Sequence, residues 1–152
     1  MSIKIGFDIG NTINNRKNNL PFENSFLIIR SLIGKYESKN IYIISKAKNL
    51  WIEKSKKWLI DNKFYEITGF DINNLYFVDE YDEKKKLIDK LKINFFVDDE
   101  IKIIRDIIKS NNITKAIWFR GNNNLLNDFP KKLKYKIIIS NKWNKIYKSL
   151  IK

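Results

Sequence analysis

Residues of the kinds that bind metal ions and phosphates follow three short apolar segments of the sequence. Asp8, Ser45 and the pair Asp98-Asp99 each stand directly after such a segment. Histidine and cysteine are both absent from the 152 residues, which excludes imidazole bases, thiolate nucleophiles and cysteine-based metal sites. Any catalysis must therefore use carboxylates, hydroxyls, lysines or a metal ion held by oxygen ligands, a type of site that suits Mg²⁺.

Apolar runs alternate with amphipathic segments along the chain. The runs predict strands at residues 3–7, 41–44, 75–78, 94–97, 115–119 and 136–139. The amphipathic segments predict helices at about 22–36 and 49–62, from about Lys84 onward, along Ile101, Ile104 and Ile108, and along Trp143, Ile146, Tyr147 and Leu150. Strands that alternate with helices favour a mostly parallel sheet, so we predict an α/β fold, a Rossmann-like three-layer sandwich.

The carboxyl ends of parallel strands are where ligands bind in sheets of this kind. Asp8, Ser45 and Asp98 stand at such ends on three different predicted strands. Asp and Ser also cap helices that follow strands, which is the alternative explanation for any one of them. The coincidence of three residue types suited to magnesium and phosphate favours one shared site.

Four segments, in this order and spacing, resemble the four motifs of the haloacid dehalogenase-like (HAD) hydrolases. The first is Gly6-Phe7-Asp8-Ile9-Gly10-Asn11-Thr12, and the second is Ile41-Tyr42-Ile43-Ile44-Ser45. The third is a lysine, assigned to Lys84 in Asp82-Glu83-Lys84-Lys85-Lys86, and the fourth is Phe95-Phe96-Val97-Asp98-Asp99. The resemblance spans residues 3 to about 119 and implies the active site of a phosphohydrolase.

The resemblance implies a nucleophile and a magnesium site. Asp8 would attack phosphorus and form an aspartyl-phosphate. Mg²⁺ would be held by Asp8, Asp98 and the backbone carbonyl of Gly10, and Asp99 would support the metal through water or a neighbouring ligand. These four residues are the predicted metal site.

The resemblance also implies a phosphate site. Ser45 would donate a hydrogen bond to the phosphate, and Lys84 would offset the charge of the clustered carboxylates. Lys84 is chosen over Lys85, Lys86 and Lys90 because we expect it to open its helix, where its side chain can turn back toward the strand ends. Thr12 would hold the loop after the nucleophile against the phosphate.

Gly10 is the departure from the family pattern. HAD phosphatases carry a second Asp there, which protonates the leaving alkoxide and then activates water, a contribution of about 10²–10⁴-fold. Three interpretations remain open: a substrate with a good leaving group, such as an acyl phosphate or an activated phosphonate; replacement of the missing acid by Asp99, Glu100 or a carboxyl of the acidic turn (Asp79, Glu80, Asp82, Glu83); or a silent relative that binds phosphate and metal without turnover.

The domain organisation follows from length. We predict one HAD-like domain over residues 1–152 without a cap domain, because 13–22 suffices only for a flap and 46–74 for one helix and a turn. The site would then be open to a large phosphorylated substrate, or it would be covered by a partner subunit, so that a homo-oligomer is possible.

No apolar run approaches the roughly 20 residues of a membrane span, and no signal peptide precedes the first strand, so we expect a cytoplasmic protein.

The net charge of +13 suits a nucleotide or nucleic-acid phosphate as substrate. Lysine, asparagine and isoleucine are abundant throughout, however, as translation of an AT-rich genome would also produce. A further alternative is a basic, non-enzymatic nucleic-acid-binding protein in which Trp118, Phe119 and Arg120 contact bases. Core packing explains Trp118 and Phe119 equally well, because they end an apolar strand.

Overall fold

A computed structural model describes residues 2–151, which form six strands in one sheet, a separate two-stranded hairpin and six α-helices. The strands are β1 (Ile5–Phe7), β2 (Asn14–Asn15), β3 (Leu20–Pro21), β4 (Ile41–Lys46), β5 (Leu75–Val78), β6 (Phe95–Asp98), β7 (Lys115–Phe119) and β8 (Ile137–Ser140). The helices are α1 (Ser25–Tyr36), α2 (Leu50–Asp61), α3 (Phe64–Thr68), α4 (Tyr81–Leu91), α5 (Ile101–Ile107) and α6 (Trp143–Leu150). The order in the sheet is β5-β4-β1-β6-β7-β8, and every neighbouring pair is parallel.

Alternate residues of the strands face two different apolar layers, as the pleat of a strand requires. Phe7 and Val97 face a layer built mainly from α1, α3 and α6, whereas Phe96 faces a layer built from α4 and α5. Both layers are dominated by fully buried isoleucines and aromatic rings. The predicted α/β three-layer sandwich with a parallel sheet is thus confirmed.

The connections place β1 in the middle of the sheet, between β4 and β6. The chain runs outward from β1 to β4 and β5, then returns to the other side of β1 to build β6, β7 and β8. Such a reversal opens a crevice at the carboxyl ends of the central strands, where ligands bind. The three strands that carry Asp8, Ser45 and Asp98 are therefore direct neighbours.

Several predicted boundaries differ from those observed. The strands predicted at 75–78 and 115–119 are reproduced, but the helix expected to open near Lys84 begins at Tyr81. Lys84 thus lies in the first turn of α4. The segment 13–22, expected to form only a flap, contains the hairpin of β2 and β3, and residues 46–74, expected to hold one helix and a turn, also contain α3. Both missed elements are shorter than the windows over which periodicity can be recognised.

The lysine-rich carboxyl-terminal segment docks on the core as predicted. Trp143, Ile146 and Leu150 are buried on one face of α6. The Trp143 ring packs 5.4 Å from that of Phe7, and its indole N–H donates to the carbonyl of Thr12 at 3.0 Å. The last helix therefore supports the loop that follows Asp8. Within residues 2–151, no helix combines the length and hydropathy that crossing a membrane would require.

Candidate functional site

Asp8 and Asp98 lie side by side because the strands that carry them are paired in register. Phe7 is opposite Val97, and the Asp8 amide donates to the Val97 carbonyl at 3.0 Å. Asp99 follows at the turn into α5. Carboxylate oxygens of Asp8, Asp98 and Asp99 all lie within 4.8 Å of one another. The predicted acidic residues thus form one cluster of the size that a metal ion can occupy.

Lys84 connects α4 to this cluster. Its ammonium group donates to Asp98 Oδ2 at 2.7 Å and to Asp8 Oδ1 at 3.1 Å, and its side chain is only 2% exposed. The neighbouring lysines point outward, where Lys85 pairs with Asp89 and Lys86 with Asp82. Choosing Lys84 from the lysine run therefore agrees with the geometry, although the helix starts three residues before it.

The protonation equilibria of the cluster are displaced by burial and mutual repulsion. Burial and the charge of Asp8 raise the pKa of Asp98 to about 8, and Lys84 opposes the shift. Burial and Asp8 likewise raise the pKa of Asp99 to about 6. Burial would lower the pKa of Lys84, but Asp8 and Asp98 outweigh it and raise that pKa above its ordinary value. One ammonium group faces three carboxylates, so the cluster lacks positive charge.

Thr12 is placed differently from the prediction that it contacts phosphate. It is fully buried, and its hydroxyl donates to Asp99 Oδ1 at 3.3 Å. The Asp99 carbonyl also accepts a hydrogen bond from the indole of Trp118 at 3.1 Å. Thr12 and Trp118 therefore orient Asp99 instead of lining the space above Asp8.

Gly10 lies in a tight turn after the nucleophile strand. The turn is closed by hydrogen bonds from Asn14 N to Ile9 O at 3.0 Å and from Asn11 N to Asn14 O, with Asn11 in the left-handed region at φ 58°. These bonds leave the Gly10 carbonyl without a backbone donor among residues 2–151. Within this part of the chain, the Gly10 carbonyl therefore has no backbone hydrogen bond that binding a cation would break.

An open cavity of about 240 Å³ lies above the cluster. Most of the predicted site residues line it, and so do three basic or aromatic residues that the sequence did not single out, Arg16, Lys46 and Tyr81. The full lining is Asp8, Gly10, Asn11, Arg16, Ser45, Lys46, Tyr81, Lys84, Asp98, Asp99 and Glu100. Ser45 is buried, and its hydroxyl has no protein partner within residues 2–151. It can therefore donate to a ligand in this cavity.

A second cavity of about 310 Å³ adjoins the first and shares Arg16 and Lys46 with it. Trp51 lines it and is 61% exposed, with the Lys54 ammonium 4.6 Å from the ring centre. Trp51 and Trp58 both lie on α2, but only Trp58 is buried. A basic groove with an exposed aromatic ring therefore leads away from the acidic cluster.

This geometry does not support the acidic turn as the source of the missing acid, nor Trp118 and Phe119 as residues that contact nucleic-acid bases. The four carboxylates of the acidic turn do not line the Asp8 cavity within the described chain, and Glu80 instead pairs with Lys48 at 2.9 Å. Asp99 and Glu100 do line it. Trp118 and Phe119 are 4% and 1% exposed, so the proposal that they stack on bases is wrong.

The sequence matches no protein-family profile and no curated protein. Similarity is found among solved structures. A haloacid dehalogenase-like hydrolase from Burkholderia xenovorans LB400 superposes with a TM-score of 0.69 at 8% identity, covering 97% of this chain and 95% of that one. The D,D-heptose 1,7-bisphosphate phosphatase of B. bronchiseptica, crystallised with magnesium and phosphate, gives a TM-score of 0.67 at 9% identity, with 99% and 98% covered.

A designed Rossmann 3x3 protein is also similar, with a TM-score of 0.55 at 12% identity and 98% and 92% of the two chains covered. At these identities the comparisons show the fold alone. They agree with the parallel sheet and with the three-layer arrangement that the alternation of strands and helices predicted.

Proposed function

We propose that this chain, which has the haloacid dehalogenase-like fold, is a magnesium-dependent phosphohydrolase that forms an aspartyl-phosphate on Asp8. The observation that carries the proposal is the junction of Asp8, Asp98 and Asp99 with the buried ammonium of Lys84 under an open cavity. A purely structural ion pair between Lys84 and Asp98 has no need of Asp8 and Asp99 beside it. Burial, and after it the charge of Asp8, raises the pKa values of Asp98 and Asp99.

The donor set fits a magnesium ion. Carboxylates of Asp8 and Asp98 and the free carbonyl of Gly10 are hard oxygen ligands, and Asp99 would hold a coordinated water. A bound divalent cation supplies the positive charge that the cluster lacks and offsets the charge of an incoming phosphate. We propose that Ser45 and Lys84 contact that phosphate, and that Thr12 holds Asp99 in place.

The chemistry assigned to the side chains is a two-step displacement. An Asp8 oxygen forms a bond to phosphorus while the bond from phosphorus to the leaving oxygen breaks, and the leaving group keeps the electron pair. Water then attacks phosphorus, the Asp8 carboxylate is released, and both protons of the water remain on the phosphate product. Lys84 keeps its charge throughout and holds the Asp8 carboxylate in position at 3.1 Å.

Nucleotides are the substrates that the surroundings favour. The groove beside the cavity is lined by the exposed Trp51 together with Arg16, Lys46 and one acid, Asp79, while Lys48 is paired with Glu80. A nucleobase can stack on such a ring while Arg16 and Lys46 contact its phosphates. The net charge of +13 also attracts anionic nucleotides over longer distances.

Metal binding should stabilise the protein more at pH 8 than at pH 5.5. Without metal, the folded state binds more protons than the unfolded one between an ordinary Asp pKa near 4 and the raised values of about 6 and 8, so stability falls as pH rises through this window. Mg²⁺ requires ionised ligands and so has its larger effect at the higher pH. Thermal unfolding with MgCl₂, against NaCl of equal ionic strength, measures the difference; equal Mg²⁺ effects at both pH values would contradict the assigned ligands.

The function itself is tested by phosphate release. We expect the protein to release phosphate from acetyl phosphate and from adenine nucleotides with Mg²⁺, and to lose this activity in EDTA. Readdition of Mg²⁺ should restore it, whereas Na⁺ should not. No release from any of these substrates at saturating Mg²⁺ would favour the second candidate, a silent phosphate-binding relative, which the absence of an acid at Gly10 supports.

A further inference from the structure

The guanidinium group of Arg16 fills the space beside Gly10. A Cβ atom built on Gly10 would lie 2.6 Å from Arg16 Nε and Cζ and closer still to one terminal nitrogen, so a side chain there would require the flexible end of Arg16 to shift. A side chain at position 10 and the observed Arg16 conformation therefore exclude each other. The glycine makes room for an arginine at the mouth of the Asp8 cavity.

The hairpin that carries Arg16 is fixed at several points. The Arg16 amide donates to Asn11 Oδ1 at 3.2 Å, and the Phe22 amide donates to the Ile13 carbonyl at 2.8 Å. On the outer side, the buried indole of Trp58 donates to the Asn19 carbonyl at 2.8 Å. The backbone of the hairpin thus holds Arg16 over the turn after Asp8.

Within residues 2–151 the Arg16 side chain has neither an ion-pair partner nor a hydrogen-bond partner. It lines both the cavity above Asp8 and the groove along Trp51. Lys84, by contrast, already donates to Asp8 and Asp98 on the floor of the cavity. A guanidinium without a protein partner in the described chain thus lines both the cavity that holds the reacting carboxylate and the adjoining groove.

We propose that Arg16 is a catalytic residue that binds the departing oxyanion, and that the substrate is a phosphate whose leaving group is itself an anion, a phosphate or a carboxylate. This proposal rests on the proposed function of Asp8. A guanidinium pairs with either oxyanion in a bidentate manner but cannot give up a proton near neutral pH. It therefore stabilises a leaving group by charge and provides nothing to an alkoxide that must be protonated.

The balance of the first step is consistent with this selectivity. When Asp8 displaces a phosphate or a carboxylate from phosphorus, the electron pair of the broken bond stays on an oxyanion that is stable in water, and no proton is transferred. Displacement of a sugar alkoxide needs a proton donor. Of the groups lining the cavity, the Tyr81 phenol and the carboxyl groups of Asp99 and Glu100 are the competing candidates for such a donor.

The test compares Arg16→Ala with Arg30→Ala, which removes the same charge from an exposed position on α1. With Mg²⁺, we expect Arg16→Ala to lower kcat/KM for ADP and acetyl phosphate by about 10²–10³-fold, and for AMP by much less. A loss confined to ADP or to acetyl phosphate identifies phosphate or carboxylate as the leaving group. An equal loss on AMP and on both anhydrides would overturn the proposal, as would loss of anhydride hydrolysis in Tyr81→Phe with none in Arg16→Ala.

A binding measurement decides the matter without turnover. In the wild-type background with Mg²⁺, Arg16→Ala should weaken binding of methylenediphosphonate, whose P–C–P bridge is not hydrolysed, by about 10–100-fold and of inorganic phosphate by little. Equal effects on the two probes, or no effect on either, would contradict the assignment. If Asp8 is not the nucleophile, Asp8→Asn hydrolyses the substrates as fast as the wild type. The binding comparison still reports on Arg16 in that case, so failure of the proposed function is distinguishable from failure of the Arg16 proposal.

Discussion

Asp8→Asn is expected to reduce phosphate release by about 10⁴–10⁶-fold, the scale on which loss of a nucleophile acts. The amide has nearly the shape of the carboxylate, but its oxygen is a poor nucleophile and carries no charge for a cation. The fold should persist, because Lys84 keeps its ion pair with Asp98 at 2.7 Å. The substitution also removes the charge of Asp8, which leaves Asp98 as the one charged partner of Lys84.

The matched control is Asp128→Asn, which makes the same substitution at an exposed position. It should release phosphate at the wild-type rate. Thermal unfolding of both variants separates loss of chemistry from loss of structure. Residual activity in Asp8→Asn within tenfold of wild type would show that Asp8 is not the nucleophile.

Lys84→Met is expected to lower the free energy of unfolding by about 3–5 kcal/mol without Mg²⁺. Methionine has a similar length and tolerates a buried position, but it leaves Asp8 and Asp98 without their counter-charge in a site from which water is largely excluded. Mg²⁺ should restore part of the stability, because it supplies charge to the same carboxylates.

Lys86→Met on the same helix is the control, because its ammonium is exposed and lies 3.8 Å from Asp82. An exposed pair at this distance contributes at most about 1 kcal/mol. Urea unfolding of the two variants in EDTA measures the difference. A Lys84 variant as stable as the Lys86 variant would mean that the cluster is neutralised in some other way.

The floor of the site could be predicted from sequence because its residues are placed by regular structure. Asp8 and Asp98 end strands that pair in register, and an apolar strand followed by an acid is visible in the sequence. Lys84 was found through the family motif, and its inward direction follows from its position in the first turn of α4. The start of that helix was misplaced because Tyr81 and the acids after it give no clear apolar period.

The mouth of the site could not be predicted. Arg16 sits in a short polar hairpin whose two strands have two residues each, too few to show a period. Its position against Gly10 depends on how the hairpin folds back over the turn. The exposure of Trp51 could not be predicted for a related reason: the first turn of α2 lies outside the core, so an aromatic residue in helical register with Trp58 is nevertheless exposed. Only the three-dimensional structure reveals the relation between the missing acid and the arginine.

The most direct test of the central claim is to trap the phosphorylated nucleophile. The protein is mixed with acetyl phosphate and Mg²⁺, quenched in acid and treated with borohydride, which reduces an acyl phosphate on aspartate to homoserine. Peptide mass spectrometry should find homoserine at position 8, at no other aspartate, and not in samples that lacked Mg²⁺ or substrate. Turnover of acetyl phosphate with an unmodified Asp8, or with homoserine at another aspartate, would contradict the assignment of Asp8 as nucleophile.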